Sequence, residues 1–194
     1  MANHARGESA DVQIDIHRAN DAEIDALLSI WKRRAQRLID RNLGMWELEQ
    51  FSRESLRDKY GDPEYYVGCL DGKAFGGFIL IGRDERYWPG KNDSAYYFHK
   101  FAVDEEYAGR GLSGAILNWV KEYGKENGKA YIRLDFEEDR AYLANMYYGN
   151  GFVKKGFVLD GRGKEITVAE YRIPARGERP RAPGNNPRAQ EGNA

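Results

Sequence analysis

The chain has 194 residues with 30 basic and 31 acidic side chains, a net charge of −1, and so no global field to favour nucleic acid or a membrane surface. That length gives one domain with a proper core and a tail, while no stretch approaches the ~20 apolar residues of a membrane span or resembles a leader segment. The lone cysteine, Cys69, excludes a disulfide framework, reads as a small core residue, and makes a cytoplasmic protein the expectation.

Residues 1–11 are small and polar and read as a flexible N-terminus. Val12, Ile14 and Ile16 alternate with polar residues, predicting a first strand. Asn20 or Asp21 can cap the helix that follows, whose buried stripe is Ile24, Leu27, Leu28, Trp31, Ala35, Leu38 and Ile39. Its opposite face carries Lys32, Arg33, Arg34, Arg37 and Arg41 and reads as solvated. Trp46 to Tyr60 predicts a second helix, stopped by Gly61-Asp62-Pro63. Two strands, 65–70 and 74–83, flank the hairpin signal Asp71-Gly72. A loop from Asp84 to Asn92 follows.

The stretch from Ser94 to Gly114 says most. Tyr96 to Val103 is an apolar, aromatic run that reads as a buried strand. Strict alternation would put Tyr97, His99, Phe101 and Val103 on one face. After two acids comes the turn Ala108-Gly109-Arg110-Gly111-Leu112-Ser113-Gly114, and then an apolar stripe at helical spacing to about Gly128. Strand, glycine turn and helix together offer free N–H groups and the positive end of a helix dipole, a setting for phosphate. Glycines there let a pyrophosphate lie directly on the backbone.

Tyr131–Phe136 is the next strand, and Glu137-Glu138-Asp139 suit the start of the helix bearing Leu143, Met146 and Tyr147. A last hairpin, 152–159 and 165–173, turns at Asp160-Gly161-Arg162-Gly163. From Pro174 to Ala194 prolines, arginines and glycines dominate with no apolar residue larger than alanine, so disorder is expected. The order predicts a mixed α/β fold with an antiparallel front half, not the regular alternation of a dinucleotide fold.

The glycine turn resembles a motif of the GNAT N-acetyltransferases, in which a strand ending in Ala-Val leads to Arg/Gln-x-x-Gly-x-Gly/Ala. Here Ala102-Val103 ends the strand and 108–113 fills the motif; Ala108 stands for Arg or Gln and Ser113 for Gly or Ala. Tyr147-x-x-x-Gly151-Phe152 resembles the family's second signature, with Arg140 where asparagine is usual. The resemblance covers residues 12–173. It implies a largely antiparallel sheet of about seven strands with about four helices, and acetyl-CoA as co-substrate. It implies coenzyme contacts at Phe101, Ala102, Val103, Ala108, Gly109, Arg110, Gly111, Leu112, Ser113 and Gly114, with the Val103 N–H meeting the carbonyl oxygen.

Transfer from a thioester to an amine needs a base, a donor to the developing oxyanion and a proton for the departing thiolate. Tyr147, whose family counterpart sits near the coenzyme sulfur, is the candidate acid, since a phenol is protonated at neutrality. His99 reads as the base or as a buried histidine; arylalkylamine acetyltransferases carry histidine at the positions matching 97 and 99. Tyr97 and Asp135 could instead hold a water or a cationic substrate. Trp46, Phe51, Tyr87 and Trp88 either line the acceptor pocket or belong to the core. The histidines at 4, 17 and 99 are scattered, so no metal site is expected. The resulting expectation is a small-molecule amine acetyltransferase, without nucleic-acid or membrane partners and compatible with a homodimer. A peptide or protein acetyltransferase and a non-catalytic acyl-CoA-binding module are the alternatives. An open groove beside the last hairpin and the 84–92 loop favours peptide; a lid there favours a small molecule.

Overall fold

The computed structural model describes residues 14–44 and 46–175. Val12, the N-terminal segment and residues 176–194 of the expected tail lie outside the described residues. Seven strands form one open, mostly antiparallel sheet: β1 (Ile14–Arg18), β2 (Glu64–Leu70), β3 (Lys73–Ile81), β4 (Ala95–Val103), β5 (Tyr131–Phe136), β6 (Val153–Leu159) and β7 (Glu165–Arg172). Their spatial order is β1-β2-β3-β4-β5-β7-β6, and only β4 and β5 run parallel. Four helices cover it: α1 (Asp21–Asp40), α2 (Arg53–Tyr60), α3 (Leu112–Glu126) and α4 (Ala141–Gly149). Among the described residues, no helix is long and apolar enough to cross a membrane.

The core lies in two layers. On one face, Leu27, Trp31 and Ala35 of α1 and Leu56 of α2 pack on Val67, Ile79 and Tyr97, with Cys69 buried among them as expected. On the other, Ile116 and Val120 of α3 and Leu143 of α4 pack on Phe78, Phe98 and Leu134. Asn20 caps α1 by accepting from the Glu23 N–H at 3.0 Å, while the Glu23 carboxylate accepts from the Asn20 N–H at 2.8 Å. Asp71 and Gly72 both adopt positive φ, 49° and 76°, as the predicted two-residue hairpin requires.

Several expectations are corrected. Ile39 is exposed at the end of α1, and Ile30 joins the buried stripe instead. The 46–60 segment is not one helix: a 3₁₀ turn spans Leu48–Gln50, and α2 starts afresh because the Ser52 hydroxyl accepts from the Ser55 N–H at 3.0 Å. The basic face of α1 is not idle. Arg33 pairs with Asp104, and Arg37 and Arg41 with Glu105, tying the helix to the segment after β4. Glu137 and Glu138 precede α4, which begins at Ala141. Glu137 accepts from Arg140 and Lys164 at 2.5 and 3.0 Å, and Glu138 accepts from Tyr148 and Thr167 at 2.7 and 3.1 Å. They anchor the last hairpin rather than a helix dipole.

The correction that matters most is in β4. Its pairing with β3 steps from Gly77↔Ala102 to Ile79↔His99, so β4 holds one extra residue, and Lys100 sits there at φ +53°. The bulge breaks the alternation. Tyr97 and His99 face the α1–α2 layer and Lys100 joins them, while Phe101 and Val103 face the α3–α4 layer. The strands approach closely beside it: a Cβ added at Gly76 would stand 2.4 Å from the Ala102 carbonyl oxygen. Gly76→Ala should therefore cost about 1–3 kcal/mol and lower the thermal midpoint by several degrees. An unchanged melting curve would show that the two strands separate there without cost.

Candidate active site

The turn leading into α3 is built to leave donors free. Gly109 and Gly111 take φ of +76° and +73°, and an added Cβ at either would meet nothing within 4 Å. The turn thus has open space above it that only glycine leaves empty without backbone strain. Gly111 caps α3 with no side chain on the helix N–H groups, and the Arg110 guanidinium lies 5.4 Å over the Tyr107 ring without an ion pair to a described residue. These features fit the diphosphate of a coenzyme.

From the turn a cavity of about 770 Å³ runs along β4. The β4–β5 pairing ends at Phe98↔Leu134, so the edge of β4 that faced β5 has no strand beside it from His99 onward. The two parallel strands thus splay apart beyond that pair. Phe101, Ala102, Val103 and the turn from Ala108 to Ser113 line the cavity; Gly114 does not. Arg86 and Tyr87 from the 84–92 loop and Gly161 and Arg162 from the last hairpin also line it.

Tyr147 lines the same cavity. Its ring packs between Phe136 and Phe152, 5.1 and 5.8 Å centroid to centroid, and its hydroxyl has no partner among the described residues. Burial, reinforced by the Asp135 charge, holds its pKa above the ordinary phenol value, so it stays protonated at every working pH.

His99 is placed differently from a free base. Asp84 Oδ2 lies 3.2 Å from its Nε2 and Asp135 Oδ1 lies 3.1 Å from its Nδ1, each off the line of a proper hydrogen bond. Burial alone would lower the imidazole pKa, but the two carboxylates outweigh it and the net shift is upward. Asp84 balances burial against the ring and the N–H groups of Arg86 and Tyr87, at 3.0 and 3.2 Å, and comes out below the usual carboxylate range. With an acid at each nitrogen, the cationic form of the ring is favoured over that of a free imidazole, and both nitrogens face carboxylates.

The other predicted substrate contacts divide. Asp135 and Trp46 line the cavity. Tyr97 and Trp88 do not: the Tyr97 hydroxyl accepts from Arg133 at 3.0 Å, and the same buried guanidinium lies 4.9 Å over Trp88 and pairs with Glu170 at 3.1 Å. Both belong to the setting of a buried arginine, which corrects their substrate-binding assignment. Phe51 is fully buried behind Trp46. Sequence spacing missed Asp84, Lys59, Tyr60 and Lys100. Tyr60 lies against His99 with ring centroids 4.9 Å apart and planes tilted by 32°, and Lys100 donates to the Gln50 side chain beside the rings of Trp46 and Phe51.

Scattered histidines argued against a metal site, yet the fold assembles two groups with ligating atoms in range, Asp84–His99–Asp135 and His17–Glu23–Cys69. In the first, each carboxylate already faces one nitrogen of the His99 ring, at 3.2 and 3.1 Å. In the second, His17 already bonds Asp15 and Glu23 at 2.8 Å through its two nitrogens.

Solved structures of similar fold cover nearly their full lengths. One is a GNAT-family acetyltransferase from Listeria monocytogenes, with TM-score 0.66 and 19% identity over 84% of this chain and 97% of that one. The ribosomal-protein-S18-alanine N-acetyltransferase of Escherichia coli superposes with TM-score 0.60 and 17% identity over 83% and 94%. Spermidine N-acetyltransferase from Vibrio cholerae, solved with CoA and spermine, gives 0.61 and 14% over 83% and 96%. No curated protein matches the sequence. The model of the acetyltransferase (GNAT) family matches residues 24–152, most of the folded chain. With the glycine turn, the splayed strands and Tyr147 in one cavity, the chain belongs to the GNAT family of acetyltransferases, whose acetyl donor is acetyl-CoA.

Proposed function

We propose that the protein transfers an acetyl group from acetyl-CoA directly to the primary amine of a small molecule, without a covalent enzyme intermediate. The observation that carries this reading is the single cavity joining the glycine turn, the unpaired edge of β4, Tyr147 and Asp135, with the 84–92 loop and the last hairpin contributing to its wall. The turn N–H groups and Arg110 would hold the diphosphate, and the backbone of Phe101 and Val103 the pantetheine amides. Acetyl-CoA supplies the thioester carbon that the amine attacks.

Asp135 receives the incoming ammonium, with its carboxylate partly exposed to the cavity and steadied by the His99 cation. The proton leaves to water at that exposed edge. As the new C–N bond forms, the Val103 N–H meets the charge growing on the carbonyl oxygen. The C–S bond then breaks, the Tyr147 hydroxyl donates its proton to the departing sulfur, and the nitrogen's remaining extra proton leaves through water and restores the phenol. His99 thus acts through Asp135 and not on the substrate.

Free-thiol release with a panel of primary amines, set against peptides with free N-termini, tests the reading. Turnover confined to small amines is expected. Faster turnover of peptides would favour the peptide acetyltransferase, and thiol release independent of any acceptor would remove the assignment.

A further inference from the structure

Three cations reach the acceptor end of the cavity from three elements: Lys59 from the last turn of α2, Arg86 from the 84–92 loop and Lys100 from the bulge of β4. None forms an ion pair with a described residue. Lys59 and Arg86 stand at the rim, each against an aromatic ring, at 5.2 Å from Tyr60 and 5.5 Å from Tyr87. Lys100 lies deeper, only 7% exposed, and its single side-chain hydrogen bond goes to the neutral amide of Gln50. Of the acids nearby, Asp84 and Asp135 flank His99, and Glu105, Glu137 and Asp160 pair with Arg37, Arg140 and Arg162, which leaves Glu47 as the cavity-lining carboxylate without an ion pair to a described residue.

A buried ammonium without a counter-charge gives up hydration, and one neutral amide with the rings of Trp46 and Phe51, at 5.3 and 5.0 Å, returns only part of it. Here the backbone is strained to keep it in place, since Lys100 is a non-glycine residue at φ +53°. Strain and desolvation converging on one side chain that points into a binding cavity mark a group waiting for a ligand. Burial, with the Lys59 charge adding to it, lowers the Lys100 pKa to about 7. An anion beside the amine reverses both effects.

Resting on the acetyltransferase reading, we infer that the acceptor amine carries an anionic group, a carboxylate or a phosphate, held by Lys100 with Lys59 and Arg86, while its ammonium turns to Asp135. The acceptor is then zwitterionic, in the manner of an amino acid or a phosphorylated amine. A polycation is turned away by the same three side chains.

The test titrates protein saturated with CoA with inorganic phosphate and, separately, with propionate, using propionamide as the neutral control. Binding is read by calorimetry and by quenching of Trp46. At least one anion should bind while propionamide does not, and Lys100→Met should weaken that anion at least about tenfold while leaving CoA affinity within about twofold. Whichever anion binds more tightly names the source of the charge. Neither anion binding, or Lys100→Met binding as tightly as the parent, would overturn the inference. CoA saturation is measured before any anion is added, so its failure would count against the acetyltransferase reading and be seen separately. In turnover, L-phenylalanine against 2-phenylethylamine and O-phosphoethanolamine against ethanolamine give the second arm. A charged member favoured at least about tenfold in kcat/KM in either pair supports the inference, and equal or better use of the neutral members contradicts it.

Discussion

Tyr147→Phe should lower kcat about 10²-fold while leaving the dissociation constant for acetyl-CoA within about twofold. The hydroxyl is the only atom removed, and it has no partner among the described residues, so no buried group is orphaned. The ring keeps its packing against Phe136 and Phe152, and stability should hardly move. Because burial holds the phenol protonated, Tyr147 adds no basic limb to the pH–rate profile. Rapid-mix measurement of thiol release alongside direct coenzyme binding separates chemistry from affinity. Turnover equal to the parent protein would remove Tyr147 from the mechanism.

His99→Leu is expected to act mainly on stability. It leaves Asp84 and Asp135 without the cation between them, a loss of about 3–5 kcal/mol for breaking a buried pair. The dependence on pH follows from the two shifts. The His99 pKa is raised above 6.5, so its contribution is fully present below that value and fades as pH climbs through the folded one. That of Asp84 is lowered beneath 3.8, so its contribution is present above that value and lost as pH falls through the folded one. The gap between parent and variant in urea midpoint should therefore be widest between about pH 4 and 6.5. It should narrow on both sides, and a gap independent of pH would contradict the held-cation account. Turnover gives a second readout: loss of a true base costs about 10²–10⁴-fold. Here the loss should stay below about tenfold at temperatures where the variant is folded.

Much of this architecture could be read from local pattern. The Asp71-Gly72 hairpin, the Asn20 cap and the positive-φ glycine turn into α3 are each decided by a few neighbouring residues and stand as expected, and the α1 stripe does so except that Ile30 is buried in place of Ile39. What escaped depends on contacts distant in sequence. The bulge at Lys100 follows from how β3 and β4 register, with Gly76 letting the strands close up, and alternation along β4 alone cannot show it. Asp84 and Asp135 are separated by a whole strand and helix before they meet at His99. Tyr97 and Trp88 were misassigned for the same reason: their buried partner, Arg133, comes from β5. One local clue was present. A lysine in the middle of the apolar run Tyr96 to Val103 is a charge that the strand's burial has to explain, and the cavity explains it.

Acetyl-CoA binding by calorimetry, compared with binding to Gly111→Trp, tests the central claim most directly. The indole would enter the open space above the turn and strain a backbone held at φ +73°. Micromolar affinity in the parent, weakened at least about a hundredfold in a variant that melts within a few degrees of it, is the predicted result. Equal affinity in the two proteins, or no binding by either, would mean that the glycine turn does not hold the coenzyme.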